Sequence, residues 1–166
     1  MKNKNDNQQN IEKGKELFYS YYGSRFGLYH DLGDEYEKCN VPKMIERKWR
    51  KDIIKILKND IKNSVGMELH TAVIRYINLT SPGAFWLMDL LEERELDTYT
   101  ALLFCRMIKD EYKVFKFETR STNRFLEKYK NKLLSKPITV HESYLNSLNT
   151  KVDLSEEALK KAILEL

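Results

Sequence analysis

Residues 42–63 read PKMIERKWRKDIIKILKNDIKN, and this stretch decides the fold class. Ile45, Trp49, Ile53, Ile56, Leu57 and Ile61 follow one another at steps of four, four, three, one and four. That spacing lines apolar side chains along one side of a helix. Arg47, Lys51, Lys55, Lys58 and Lys62 make a basic stripe beside it, so the segment is amphipathic. Its start is marked by Asn40-Val41-Pro42: the residue before a proline is pushed out of the α region, and proline suits the first helical position. Lysines that flank an apolar stripe are most often a solvated face, and that is the favoured reading of these five. The rival reading is an anionic partner, whether phosphates, an acidic membrane surface or an acidic protein.

Helical periodicity recurs on both sides of this segment. Towards the N-terminus, Ile11, Leu17, Phe18, Tyr21 and Tyr22 fall on one face, while residues 1–10 (MKNKNDNQQN) read as an unfolded polar tail. Towards the C-terminus, Leu69, Ala72, Val73, Tyr76 and Ile77 predict a helix ending at Thr80; a strand is the weaker reading because the apolar–polar alternation fails at positions 72 and 73. Ser81-Pro82 reads as a cap and first residue of the next helix, and Asp97 as the cap of one that is apolar nearly all round from Ala101 to Ile108. A helix apolar on every side belongs at the centre of a core. VFKFE, residues 114–118, reads as that helix's tail. Ser121 or Thr122 caps a further helix that stops before Pro137, residues 137–152 read as an irregular connection, and Asp153 with Glu156 has capping-box spacing ahead of a last helix over 153–166.

With 166 residues, 42% hydrophobic and 33% charged, the chain is too apolar for disorder and sized for one domain. Gly 6 and Pro 3 are too few for a sandwich of many short strands. The expected fold is therefore all-α: a single-domain antiparallel helical bundle, or a short HEAT-like helical array, of about seven helices over 11–166. No apolar run approaches the ~20 residues of a membrane span, and MKNKNDNQQN has no signal-peptide h-region, so a soluble cytoplasmic protein is expected.

Charge is segregated along the chain although the total is only +4. Lys43–Lys62 holds eight basic residues against three acidic, and Arg120–Lys136 six against one, Glu127. The stretches 31–37 and 89–97 are acidic. Two cysteines, Cys39 and Cys105, and three scattered histidines lack the spacing of a disulfide framework or a zinc site. No metal or cofactor is expected.

Phosphate-loop, dinucleotide, nucleophile-elbow and zinc-protease motifs are all missing from the sequence. His30-Asp31 and His141-Glu142 are adjacent in sequence, and neighbours on a helix point about 100° apart, so neither is read as an acid–base couple. A non-enzyme is expected. The segment FYSYYGSRFGLYHDLGDEY (18–36) concentrates seven of the 19 aromatics, broken by Gly23, Gly27 and Gly33. Helix breaks are predicted near Gly23 and Gly33, since each interior glycine costs a helix about 1 kcal/mol relative to alanine. Bulky aromatics are mostly buried, so the segment reads first as core. If it carries a surface, that surface is Tyr22, Arg25, Phe26, Tyr29 and His30, able to stack on bases or on a partner's side chains. The expected function is a helical protein-interaction module, regulatory or immunity-like in class. The alternative is a nucleic-acid-binding helical protein using the basic helices 43–62 and 120–136, with Arg47, Lys51, Lys55, Lys58 and Lys62 as contacts.

Overall fold

The computed structural model describes residues 4–112, 119–147 and 152–166. Among them it contains nine helices and no strand: α1 Lys4–Ser20, α2 Arg25–Lys38, α3 Lys43–Asn63, α4 Gly66–Thr80, α5 Ala84–Glu93, α6 Thr98–Tyr112, α7 Thr119–Leu134, α8 Glu142–Ser147 and α9 Glu156–Leu164. The protein is all-α, as its periodicity requires. Where one domain was expected, the helices cluster as two compact units. Helices α1, α2 and α3 with Thr71–Ser81 make the first, and Ser64–His70 with α5–α9 make the second, so α4 contributes to both.

In the first unit α1 packs against α2 and α3. The core is Phe18, Leu28, Tyr36, Trp49, Ile53, Leu57 and Ile61, joined by Val73, Tyr76 and Leu79 of α4. Phe18 lies between two aromatics, with ring centroids 6.2 Å from Tyr36 and 5.9 Å from Trp49. Four members of the predicted α3 stripe are buried, but Ile56 is half exposed because it sits at the stripe's edge. Gly14 lets α1 approach the loop after α2: a Cβ there would stand 2.5 Å from Val41 Cγ2.

Residues 4–10, expected to be unfolded, are instead the first turns of α1. The exposed side chains of residues 7–10 add little packing, but extending an existing helix costs far less than nucleating one. The predicted break at Gly23 is present. Gly23 N–H donates to Phe18 O (2.9 Å) and Tyr22 N–H to Tyr19 O (3.0 Å), with both residues at positive φ. This is a Schellman-type end to α1. At Gly33 there is a kink rather than an end: Leu32 leaves helical geometry (φ −136°) while α2 continues to Lys38.

In the second unit α6 is central, packing on α5, α7 and α9. Ala101, Leu102, Phe104, Cys105 and Ile108 are all fully buried, as an all-round apolar helix should be. Asp97 caps α6 as expected, accepting from Thr100 N–H (3.1 Å) and the Thr100 hydroxyl (2.6 Å). Burial pushes the Cys105 thiol up to about 12, so this cysteine is an inert core residue.

Several expected boundaries are corrected. Ser81 is no N-cap: at φ 47° it closes α4, its N–H donating to Ile77 O, and α5 starts after Gly83 without a side-chain cap. An N-cap needs extended backbone, which a left-handed residue cannot supply. Neither Ser121 nor Thr122 begins α7, which starts by Thr119 and buries Thr122. Residues 114–118 lie outside the described residues. The irregular connection 137–152 contains α8, held by buried Tyr144, whose ring meets Tyr99 edge-on at 4.8 Å and whose hydroxyl lies in hydrogen-bond contact with Thr100 Oγ1 at 3.1 Å. The cap of α9 is Ser155, accepting from Ala158 N–H, whereas Asp153 accepts from Ser155 N–H. The shorter side chain two residues later is the one within reach of the helix's first free amides.

His70, half buried beside the Phe104 (6.0 Å) and Tyr144 (6.5 Å) rings, has its pKa lowered below the ordinary 6.5 by loss of hydration. Below pH 6.5 the unfolded chain therefore takes up this proton more readily than the folded one, and folding stability falls with falling pH. The H70Q variant is expected to lose that part of the slope between pH 7.5 and pH 5.5. Urea titrations at each pH check it; an unchanged slope would mean that burial does not disfavour the imidazolium.

Candidate functional site

Both surfaces suggested by the sequence belong to the first unit, and its loops and caps place them. Ser24 caps α2, its hydroxyl accepting from Gly27 N–H. The residues that follow alternate between core and solvent: Leu28 is fully buried, whereas Phe26 is 84% exposed and Tyr29 45%. The reading of 18–36 as core thus holds for Phe18 and Tyr36 and fails for Phe26. The first turns of α2 decide this, because 26 and 30 share the face opposite 28.

The five proposed surface residues divide as follows. Phe26 and exposed His30 stack at 6.0 Å, one helical turn apart. Tyr29 makes an edge contact with buried Tyr36 at 5.9 Å and keeps part of its ring in solvent. Tyr22 is partly covered, with the Arg75 guanidinium 3.7 Å over its ring, a cation–π contact that helps hold its left-handed backbone. Arg25 belongs to α2, and its side chain lies outside the described residues.

His30 and Asp31 do meet, contrary to expectation: Nδ1 lies 2.7 Å from Asp31 Oδ1, and the Tyr21 hydroxyl donates to Oδ2 at 3.1 Å. Side-chain torsions bring together what the Cα–Cβ directions separate. These hydrogen bonds, from His30 first and Tyr21 second, hold the Asp31 carboxyl below the usual carboxylate range. The two side chains are 73% and 51% exposed, so water screens the contact and it adds little to stability. It borders a shallow pocket of about 330 Å³ formed by 29–35, which also holds Asp34 and Glu35.

On α3 the basic stripe faces solvent: Arg47, Lys51, Lys55, Lys58 and Lys62 are all exposed, and among the described residues none of them makes an ion pair. At about 1.5 Å rise per residue the five cover roughly 22 Å of helix. Burial of Glu46 and half-burial of Asp52 and Asp60 leave few acids on that face. The other basic helix differs. Lys128 pairs with Glu92 (3.0 Å), Lys136 with Glu95 (3.4 Å) and Lys130 with Glu127 (4.0 Å). Lys132 lies 4.8 Å over the Tyr129 ring. Much of the positive charge of 120–136 is thus matched within its own unit.

The structure brings together two surfaces that are separate in sequence, through a residue that neither reading had singled out. Arg50 on α3 donates to the Leu79 carbonyl near the end of α4. Arg50 lines a pocket of about 360 Å³ with Gly23, Ser24, Phe26 and Asn78, and also a second of about 200 Å³ with Lys43, Glu46 and Arg47. Phe26, from the aromatic candidates, and Arg47, from the basic stripe, therefore flank one arginine. No periodicity signals Arg50; its place follows from α4 returning beside α3. Compared with known proteins, the chain matches no family model, and no curated protein or solved structure resembles it significantly.

Proposed function

We propose that this protein is a non-enzymatic binding module that docks a polyanionic partner on the exposed face of α3. The observation that carries the reading is the row Arg47, Lys51, Lys55, Lys58 and Lys62, solvent-facing and without ion pairs among the described residues. By contrast, Lys128 and Lys130 of α7, and Lys136 just beyond it, lie within 4.0 Å of carboxylates. Five cations on one helix face without such partners among the described residues concentrate positive potential where a string of negative charges gains most by displacing counterions. Lysine is a flexible point charge suited to tracking a backbone. A protein partner, ranked first from sequence, is favoured by a different observation: Phe26 is almost wholly exposed on α2, and exposed aromatics are common anchors of protein interfaces.

The test is heparin binding by the whole chain at two salt concentrations. Binding is expected at low salt and should weaken steeply as salt rises. K51E/K55E should abolish it while leaving the circular dichroism spectrum and melting temperature nearly unchanged, because surface substitutions of this kind usually alter stability by no more than about 0.5 kcal/mol. No retention of the unaltered protein at low salt would remove the proposal.

A further inference from the structure

We infer that the polyanion is a single-stranded nucleic acid, with Phe26 as the stacking platform for an unpaired base and Arg50 as the bridge to the phosphate track on α3. This rests on the polyanion reading above and adds the ligand's chemistry.

An aromatic ring 84% exposed leaves much of its π-face to water, and among the described residues of its own helix it meets His30, stacked at 6.0 Å. The pocket beside it is lined by Phe26, Arg50 and exposed Asn78, residues that carry an aromatic ring, a guanidinium and an amide. An aromatic face, a guanidinium and an amide are what an unpaired nucleotide engages: the face stacks on the base, the amide meets its edge and the cation meets the phosphate. Arg50 is oriented by its bond to Leu79 O and lines the adjoining pocket with Lys43 and Arg47. From Arg47 the charge continues along Lys51, Lys55, Lys58 and Lys62, giving a polymer a path out of the nucleotide pocket. Duplex DNA meets the same charges but keeps its bases stacked on one another, leaving Phe26 unused. A sulfated polysaccharide has no flat ring to place there. An acidic protein segment meets the cations as well, but gives Asn78 and the pocket no comparable role.

Fluorescence anisotropy with a labelled oligothymidylate, the same sequence as a duplex, heparin and polyglutamate tests this on the full chain. Oligothymidylate is expected to bind most tightly of the four. F26A should weaken it about ten-fold while leaving heparin unchanged, and F26Y should restore it, since stacking needs any aromatic face. K51E/K55E should weaken all four. If F26A leaves oligothymidylate affinity intact while K51E/K55E abolishes it, stacking is wrong and the polyanion reading survives. Tighter binding of polyglutamate overturns the inference in favour of an acidic protein partner, and equal or tighter binding of the duplex overturns it in favour of backbone recognition. If none of the four binds, both readings fall together.

Discussion

Phe104→Ala is expected to lower the unfolding free energy by about 3–5 kcal/mol, the usual cost of emptying a fully packed aromatic site. Phe104 is fully buried on α6, as are Ala101, Leu102, Cys105 and Ile108 of the same helix, and the helix packs on α5, α7 and α9. Its ring also closes on His70 at 6.0 Å. Three neighbouring helices limit how far the site can collapse, which places the cost high in the range. Domains of this size hold about 5–15 kcal/mol in total, so the loss takes a large share of it and should lower the melting temperature by roughly 10 °C. Urea unfolding followed by circular dichroism measures it, with Phe26→Ala as the control that should change stability by no more than about 0.5 kcal/mol. A loss below about 1 kcal/mol for Phe104→Ala would displace α6 from the centre of its unit.

Trp49→Ala should cost a similar 3–5 kcal/mol in the first unit. Trp49 is 6% exposed and is the largest side chain of the α3 stripe, its ring 5.9 Å from Phe18, which is itself stacked at 6.2 Å on Tyr36. Removing it leaves one side of Phe18 without a neighbour and breaks the aromatic chain that fastens α3 to α1 and α2. Trp49→Phe keeps most of the volume and should recover more than half of the loss. Fluorescence of a Trp86→Phe variant, which leaves Trp49 as the one indole, provides a second reading: buried Trp49 should emit at shorter wavelength than a solvated indole and shift red on unfolding. A neutral Trp49→Ala would mean that the apolar stripe of α3 does not face the core.

These two variants probe what periodicity made legible. The steps from Ile45 to Ile61 admit only one apolar face, and a helix with such a face must bury it. Asp97 could be recognised because a carboxylate beside the first free amides of a helix is a local interaction. Caps and ends were less legible wherever two residues competed. Asp153 and Ser155 both qualify by type, and the geometry of one turn chose Ser155. Residues 4–10 and 142–147 carry weak helical patterns of their own; the first continue α1, and the second depend on the single buried ring of Tyr144.

The candidate site was legible in its parts and not in its assembly. Phe26 and the α3 cations stood out by type and spacing, but which aromatics of 18–36 face water depends on where α2 starts after Gly23 and how it kinks at Leu32. By itself the sequence determined helix type, the buried stripes and the segregation of charge, because these follow from interactions within a few residues along the chain. Only the tertiary structure decided that Phe26 stays outside, that Arg50 lines one pocket with Phe26 and another with Arg47, and that Lys128 and Lys130 of α7 find carboxylates while the basic stripe of α3 finds none among the described residues. Such outcomes depend on helix ends and on neighbours dozens of residues away, which no local pattern encodes.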